Sequence, residues 1–274
     1  MRIAVCYTYG QSFAVWYREA IRHECDEVGD VNEVGDVKVI VNIPHDGNVI
    51  PYEYADFIGN PTYMGDYGAS FLFSYDWATV LKFPINRIIC DVERLEDKDK
   101  EPMEKLGMGI CYTKNANCEP MRIVSDKQRA EIIAKYYRPY HEKLSGLVED
   151  ELSVYGNCLI IDGHTFSSVK RPYEPDEAKP QICIGYDEHV QKDKEIGRYA
   201  ARRLMQLGYD VMENRPFSGA IKPLDMINDK RVMSIMFEVR QDMLTKYVRN
   251  DLETVAKELC HMAYNCEDSM YVRD

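Results

Sequence analysis

The sequence predicts an α/β protein: one domain of 274 residues, a three-layer sandwich in which a mixed, mostly parallel sheet carries helices on both faces. Three observations carry that prediction. Short β-branched apolar runs alternate with longer amphipathic stretches, the pattern of strands joined by crossover helices. No linker composition divides the chain, so residues 1–274 read as a single unit. An apolar content of 45% is ordinary for a globular chain and supplies a sizeable core.

Residues 2–8, within Met1-Arg-Ile-Ala-Val-Cys-Tyr-Thr, read as a first strand and lack a signal-peptide pattern. Residues 13–25 have a helical pattern, and the twice-used Glu-Val-Gly-Asp that ends at Asp36 reads as polar loop. Val37-Lys-Val-Ile-Val-Asn-Ile is β-branched and stops at Pro44, which predicts a strand and then a loop. Residues 59–70, rich in Gly, Tyr and Asn, predict irregular chain. Ser74 to Leu81 predicts a helix start capped by Ser74. Arg87-Ile-Ile-Cys-Asp-Val predicts a third strand, and Glu96 to Glu104 a solvated charged loop. Ser125 to Leu147 is a long amphipathic helix interrupted at Pro139. Cys158-Leu-Ile-Ile-Asp-Gly-His-Thr-Phe-Ser167 opens with an apolar run too short for a helix and predicts a buried central strand. Lys170 to Pro180 is loop, Ile182-Cys-Ile-Gly a short strand, and Lys192 to Leu207 a helix stopped by Gly208. Asp210 to Glu213 and Met233 to Arg240 predict the last two strands, and Met243 to Tyr264 a closing helix.

The net charge of −12 argues against a nucleic acid or an anionic membrane surface as partner. No apolar run approaches the roughly 18 residues of a membrane span. Nine scattered cysteines with no Cys-x-x-Cys pair, several inside strand-like runs, read as buried thiols of a reducing, cytoplasmic compartment.

Asp162 and His164 are two apart on a strand and therefore share a face where that strand ends. Ligands of α/β sheets sit at this edge, and a carboxylate there can orient a metal-binding imidazole. Asp-Gly-His by itself fits a hydrogen-bonded turn equally well. Other predicted strand ends present His45, Asp76, Arg94, Asn214 with Arg215, and Glu238. Two histidines and a carboxylate from different loops can form a zinc site with one position left for water. Arginines with an Asn can hold a substrate carboxylate. Each residue also has a plainer reading: His45 as a turn residue, Asp76 as a helix N-terminal charge, Arg94 and Glu93 as a surface pair, His141 as a packing residue. Glu238 is harder to dismiss, because a glutamate inside Ile-Met-Phe-Glu-Val is costly to bury without a role or a partner.

Seven segments in order resemble the N-formylglutamate amidohydrolase family. Val41-Asn-Ile-Pro-His45-Asp-Gly resembles its Ile-Pro-His-Ser-Gly motif, and Tyr75-Asp76-Trp77 its Asp-Thr-Asp-Trp. Asn86-Arg-Ile-Ile-Cys-Asp-Val-Glu-Arg94 is similar to Ser-Arg-Tyr-Val-Val-Asp-Leu-Asn-Arg. Tyr137-Arg-Pro-Tyr-His141, Asp162-Gly-His164-Thr, Asn214-Arg-Pro-Phe-Ser-Gly219 and Phe237-Glu238 continue the series, so the resemblance spans about residues 37 to 245. The family is similar in fold to zinc carboxypeptidases. Ser74, Glu93 and Ser218 depart from its pattern, standing where it has Asp, Asn and Gly.

The resemblance implies a metal-dependent amidohydrolase that cleaves the amide of an N-formyl or N-acyl amino acid with one zinc ion. It implies His45 and His164 as zinc ligands, with Asp76 as the third and Glu53 as the fallback. The carboxypeptidase pattern has a Glu three residues after its first His; Asn48 stands there, which favours the amidohydrolase branch. Glu238 is implied as general base and then acid. Arg94 would bind a substrate carboxylate or polarise the carbonyl, Asn214 and Arg215 would help hold the carboxylate, and His141 would reach the site. The implied partner is a small amino-acid derivative or short peptide. A zinc carboxypeptidase for short peptides and a non-catalytic amino-acid-binding protein are the alternatives, and oligomeric state is not legible.

Overall fold

The computed structural model describes residues 39–58, 64–174 and 178–264. The first strand and helix expected before residue 39 lie outside them. Among the described residues six strands form one sheet: β1 (Ile40–Ile43), β2 (Thr79–Lys82), β3 (Cys158–Phe166), β4 (Ile182–Gly185), β5 (Val211–Glu213) and β6 (Val232–Arg240). Their spatial order is β2-β1-β3-β6-β4-β5. β2, β1, β3 and β6 run parallel, β4 pairs antiparallel with β6, and β5 runs parallel to β4. The sheet is therefore mixed and mostly parallel, with the two long strands β3 and β6 at its centre. All nine residues of β3 are buried, as a strand covered on both faces requires.

Alternate residues feed two cores. On one face Val41, Leu159, Ile161, Ile235 and Phe237 pack with Ile196, Ala200 and Leu204 and with Leu252, Val255 and Leu259. On the other, Ile40, Ile160 and Val232 meet Leu144 and Val148 and a buried apolar loop that includes Ile88, Ile89 and Ile110. The α-helices of the described residues are α1 (Ala69–Phe73), α2 (Asp126–Ile132), α3 (Arg138–Tyr155), α4 (Gln191–Gln206) and α5 (Lys246–Tyr264), of which the last three supply the helical residues just named. α3 covers one face, and α4 and α5 cover the other. Ser125 and Gln128 form a reciprocal capping box at the start of α2. Among the described residues no helix is long and apolar enough to cross a membrane.

Two expectations need correction. Thr79–Lys82 is the edge strand β2, not the continuation of a helix begun at Ser74; its burial alternates as one side of a strand does. Arg87 to Val92 is not a strand. Ile88, Ile89, Cys90 and Val92 are buried, but their backbone turns, with Ile89 N–H and Cys90 N–H donating to Asn86 O and the Arg122 guanidinium donating to the Ile88 and Ile89 carbonyls. A short apolar run records burial, and burial does not distinguish a strand from a satisfied turn. The helix expected over Ser125 to Leu147 is interrupted beside Pro139, as its sequence predicts. A π-helical turn at Ile133–Tyr137 separates α2 from α3 just before the proline, which has no N–H to place in an α ladder.

Candidate active site

β1, β3 and β6 are neighbours running in one direction, so their C-terminal ends open on the same edge of the sheet. His45 follows β1 by two residues. His164 and Glu238 lie near the ends of β3 and β6 and are register partners, which puts both side chains on one face. Asp162, two residues before His164, shares that face. Asp66 arrives from the connection between β1 and β2. Its loop is fixed by hydrogen bonds: Asp66 N–H donates to His45 O at 2.9 Å, and the Asp46 carboxylate accepts from the Gly68 and Ser70 amides.

One donor atom from each of His45, Asp66 and His164 lies within 4.8 Å of the others, and all three residues are buried. Asp66 Oδ2 is 2.8 Å from His164 Nδ1 and 3.5 Å from His45 Nδ1. The outward nitrogens face other carboxylates. His45 Nε2 is 2.9 Å from Asp91 Oδ1, and His164 Nε2 is 3.1 Å from Asp162 Oδ1. Asp162 accepts in turn from Asn42 Nδ2 at 2.9 Å and from Ile221 N–H at 3.2 Å, while the Tyr140 hydroxyl donates to Asn42 Oδ1. A carboxylate behind each ring, with the opposite nitrogen turned inward, is how metal-binding imidazoles are oriented. Among the described residues neither His45 Nδ1 nor His164 Nε2, both buried, makes a hydrogen bond, so each is left for a further group, and Glu93, Asp162 and His164 form a second three-donor cluster beside the first.

Charge leads to the same centre. Asp66, Asp91, Glu93 and Asp162 crowd the two rings, against the guanidiniums of Arg87 and Arg94. Burial by itself would raise the Asp66 carboxyl; the hydrogen bond with His164, the neighbouring His45 imidazole and the charge of Arg87 outweigh it and hold it well below the usual range. Burial likewise opposes ionisation of Asp91, and Arg87, Arg94 and His45 overcome it. Glu93 is drawn down to about 2 against its burial, chiefly by His164 and His45. The same carboxylates raise both imidazoles although burial works the other way. A buried cluster this anionic is stabilised by positive charge at its middle, which a divalent cation would supply. Two imidazoles and a carboxylate fit such an ion, with donor types suited to zinc.

Glu238 stands beside this trio. Its Oε2 is buried without a hydrogen-bond partner, and burial pushes its carboxyl up to about 8 while His164 and Arg87 pull the other way. The site lies in a cleft of about 960 Å³ whose walls include Arg94, His141, Arg171, Phe217 and Glu238.

Of the residues predicted from sequence, the fold gathers His45, His164, Glu238, Arg94 and His141 around the cleft. Arg94 donates from Nε to Met108 O and lies 3.5 Å from Asp91. His141 Nε2 is 2.8 Å from Val92 O. Asp76 is exposed and outside the cluster, and the carboxylate found between the two histidines is Asp66. Glu53 is also exposed, paired with Lys135 at 2.7 Å. Asn214 and Arg215 do not line the cleft. Asn214, at φ 52°, fastens the end of β4, accepting from Tyr186 N–H and donating to Glu188, and Arg215 is exposed. Pro216 to Ile221, which follow them, do line it. Sequence reasoning missed Asp66 and gave no role to Arg87 or Asp91. Those two sit inside the quoted Asn86–Arg94 motif, whereas Asp66 lies in a stretch read only as irregular.

The protein is thus a mixed α/β sheet with a buried histidine–carboxylate cluster at its parallel strand ends. The chain belongs to the N-formylglutamate amidohydrolase family, whose model matches residues 37–245. Among solved structures it resembles an N-formylglutamate amidohydrolase from Ralstonia eutropha JMP134, at 19% identity and a TM-score of 0.62 over 85% of this chain and 94% of that one. It also resembles the gene product Atu2144 from Agrobacterium tumefaciens, at 17% identity and a TM-score of 0.60 over 85% and 91% of the two chains. At these identities the likeness establishes the fold. No functionally curated protein matches the chain.

Proposed function

We propose that the protein is a metal-dependent hydrolase that cleaves the amide of an N-formyl or N-acyl amino acid, N-formylglutamate being the reference substrate of its family. One observation carries the reading: Glu238, a buried carboxyl with an unpartnered oxygen, is register partner to His164 and borders the His45–Asp66–His164 trio. Those three residues would hold one zinc ion. When bound, the ion lowers the pKa of water towards about 7 and polarises a carbonyl.

Every other step belongs to the chain. Glu238 takes a proton from the attacking water as the new C–O bond forms. It then delivers that proton to the amine nitrogen as the C–N bond breaks, releasing a carboxylic acid and a free amino acid. Asp91 and Asp162 keep the two rings in place. Arg94 holds a substrate carboxylate, and His141, its Nε2 engaged by Val92 O, offers Nδ1 to a substrate polar group. A second reading, a zinc carboxypeptidase for short peptides, is favoured by the cleft volume of about 960 Å³, which exceeds the needs of a formyl amino acid.

Metal analysis of the purified protein with a hydrolysis screen over N-formyl, N-acetyl and dipeptide substrates separates these. Turnover of N-formyl or N-acyl amino acids with about one zinc per chain supports the proposal. Cleavage of dipeptides alone selects the second reading, and metal-independent turnover overturns both.

A further inference from the structure

We infer that Arg171 is a specificity-determining residue for the proposed reaction, binding the side-chain carboxylate of an acidic substrate. The inference rests on the hydrolytic reading above. Its basis is a census of the cations along the cleft wall, which are Arg87, Arg94, Arg171, Lys179 and Lys222. Four are already engaged. Arg87 is locked to Asp66 and Asp91 at 3.1 and 2.8 Å. Arg94 is tied to Met108 O and faces Asp91. Lys179 donates to Glu174 and to the Ser167 and Val169 carbonyls. Lys222 is 2.7 Å from Asp193. The guanidinium of Arg171 has no hydrogen-bond or ion-pair partner among the described residues, although the residue is half-buried.

Its backbone is held in place all the same. Arg171 N–H donates to Glu174 Oε2 at 2.6 Å, and Glu174 N–H donates to Arg171 O. Glu174 is in turn gripped by Lys179, which also ties back to the end of β3 and lies over the Phe166 ring. The half-turn Arg171–Glu174 is thus fastened beside the strand that carries His164, with the free guanidinium at the cleft. Tyr173 lines the same wall, close enough to Arg87 and Arg171 for both charges to act on its hydroxyl. An arginine fork with no partner among the described residues is suited to a carboxylate, which it takes by paired charge-assisted hydrogen bonds. The need for it is electrostatic. Glu93, Asp162 and Glu238 also line this cleft, so a substrate bearing two carboxylates requires more compensation than the partly committed Arg94 supplies.

The test compares Arg171→Met and Arg171→Lys with the parent protein, on N-formylglutamate and on its neutral isostere N-formylglutamine. Losing the fork should raise KM for N-formylglutamate roughly 10- to 100-fold, the range of a charge-assisted pair, with kcat within about twofold. KM for N-formylglutamine should move far less, and Arg171→Lys should recover part of the loss. Equal effects on both substrates, or none on either, overturn the assignment. Calorimetric binding of N-formylglutamate to parent and Arg171→Met proteins keeps the two proposals apart. If the parent hydrolyses no N-acyl amino acid, the proposed function falls, yet weaker binding by Arg171→Met still supports the carboxylate site and equal binding rejects it.

Discussion

His164 on β3 and Glu238 on β6 are register partners, so the imidazole and the carboxyl leave the same face of adjacent parallel strands at the C-terminal edge of the sheet. The relationship is rigid because both strands are long, central and buried on both sides. A general base needs such placement more than it needs mobility.

Glu238→Gln tests the role directly. The amide preserves shape and removes the proton acceptor. Turnover should fall by roughly 10²- to 10⁴-fold, the usual contribution of general acid–base catalysis, with metal content unchanged. Steady-state kinetics with elemental analysis checks it, and near-parental turnover would remove Glu238 from the mechanism.

Asp66 and Asp76 make a paired test of the third ligand. Asp66→Ala should abolish stoichiometric zinc and activity together, because it removes the carboxylate nearest both inward nitrogens. Asp76→Ala, at an exposed position, should leave both unchanged. The reverse result would return the ligand role to Asp76.

Asp91→Asn should weaken zinc affinity about 10- to 100-fold while leaving the three ligands in place. Asp91 accepts from Arg87 and Tyr112 and faces His45 Nε2, so its charge sets the orientation and basicity of that ring. Competition with a chromogenic chelator reads the change. Affinity equal to the parent would show that the ring is held by other contacts.

Gly47→Ala should cost about 1–3 kcal/mol of stability in chemical denaturation, the range for forced overpacking. A Cβ at Gly47 would lie 2.3 Å from Phe83 O and 2.5 Å from Pro84 C, backbone atoms that cannot swing aside. The clash falls two residues after His45, so zinc affinity should drop as well. An unchanged midpoint would mean that this loop yields more freely than its contacts indicate.

The sequence by itself determined which elements carry the chemistry. Patterns of apolar and β-branched residues located β3, β4, β5, β6 and the helices covering them, because each buries a periodic face and writes that period into the chain. They also put His45, His164 and Glu238 at strand ends, since a polar residue interrupting an apolar run is visible locally. Tertiary structure alone decided what stands between the two histidines. Asp66 is brought there by a loop held by its own backbone bond to His45 and by the Asp46 carboxylate, which accepts from the Gly68 and Ser70 amides, and neither contact leaves a periodic pattern in the sequence. The same holds for Asn214, whose backbone turn directs its amide into the end of β4 and leaves the cleft to the residues after it. Side-chain pattern encodes burial over short range, whereas the meeting of a loop carboxylate with two distant imidazoles depends on distances that only the folded chain fixes.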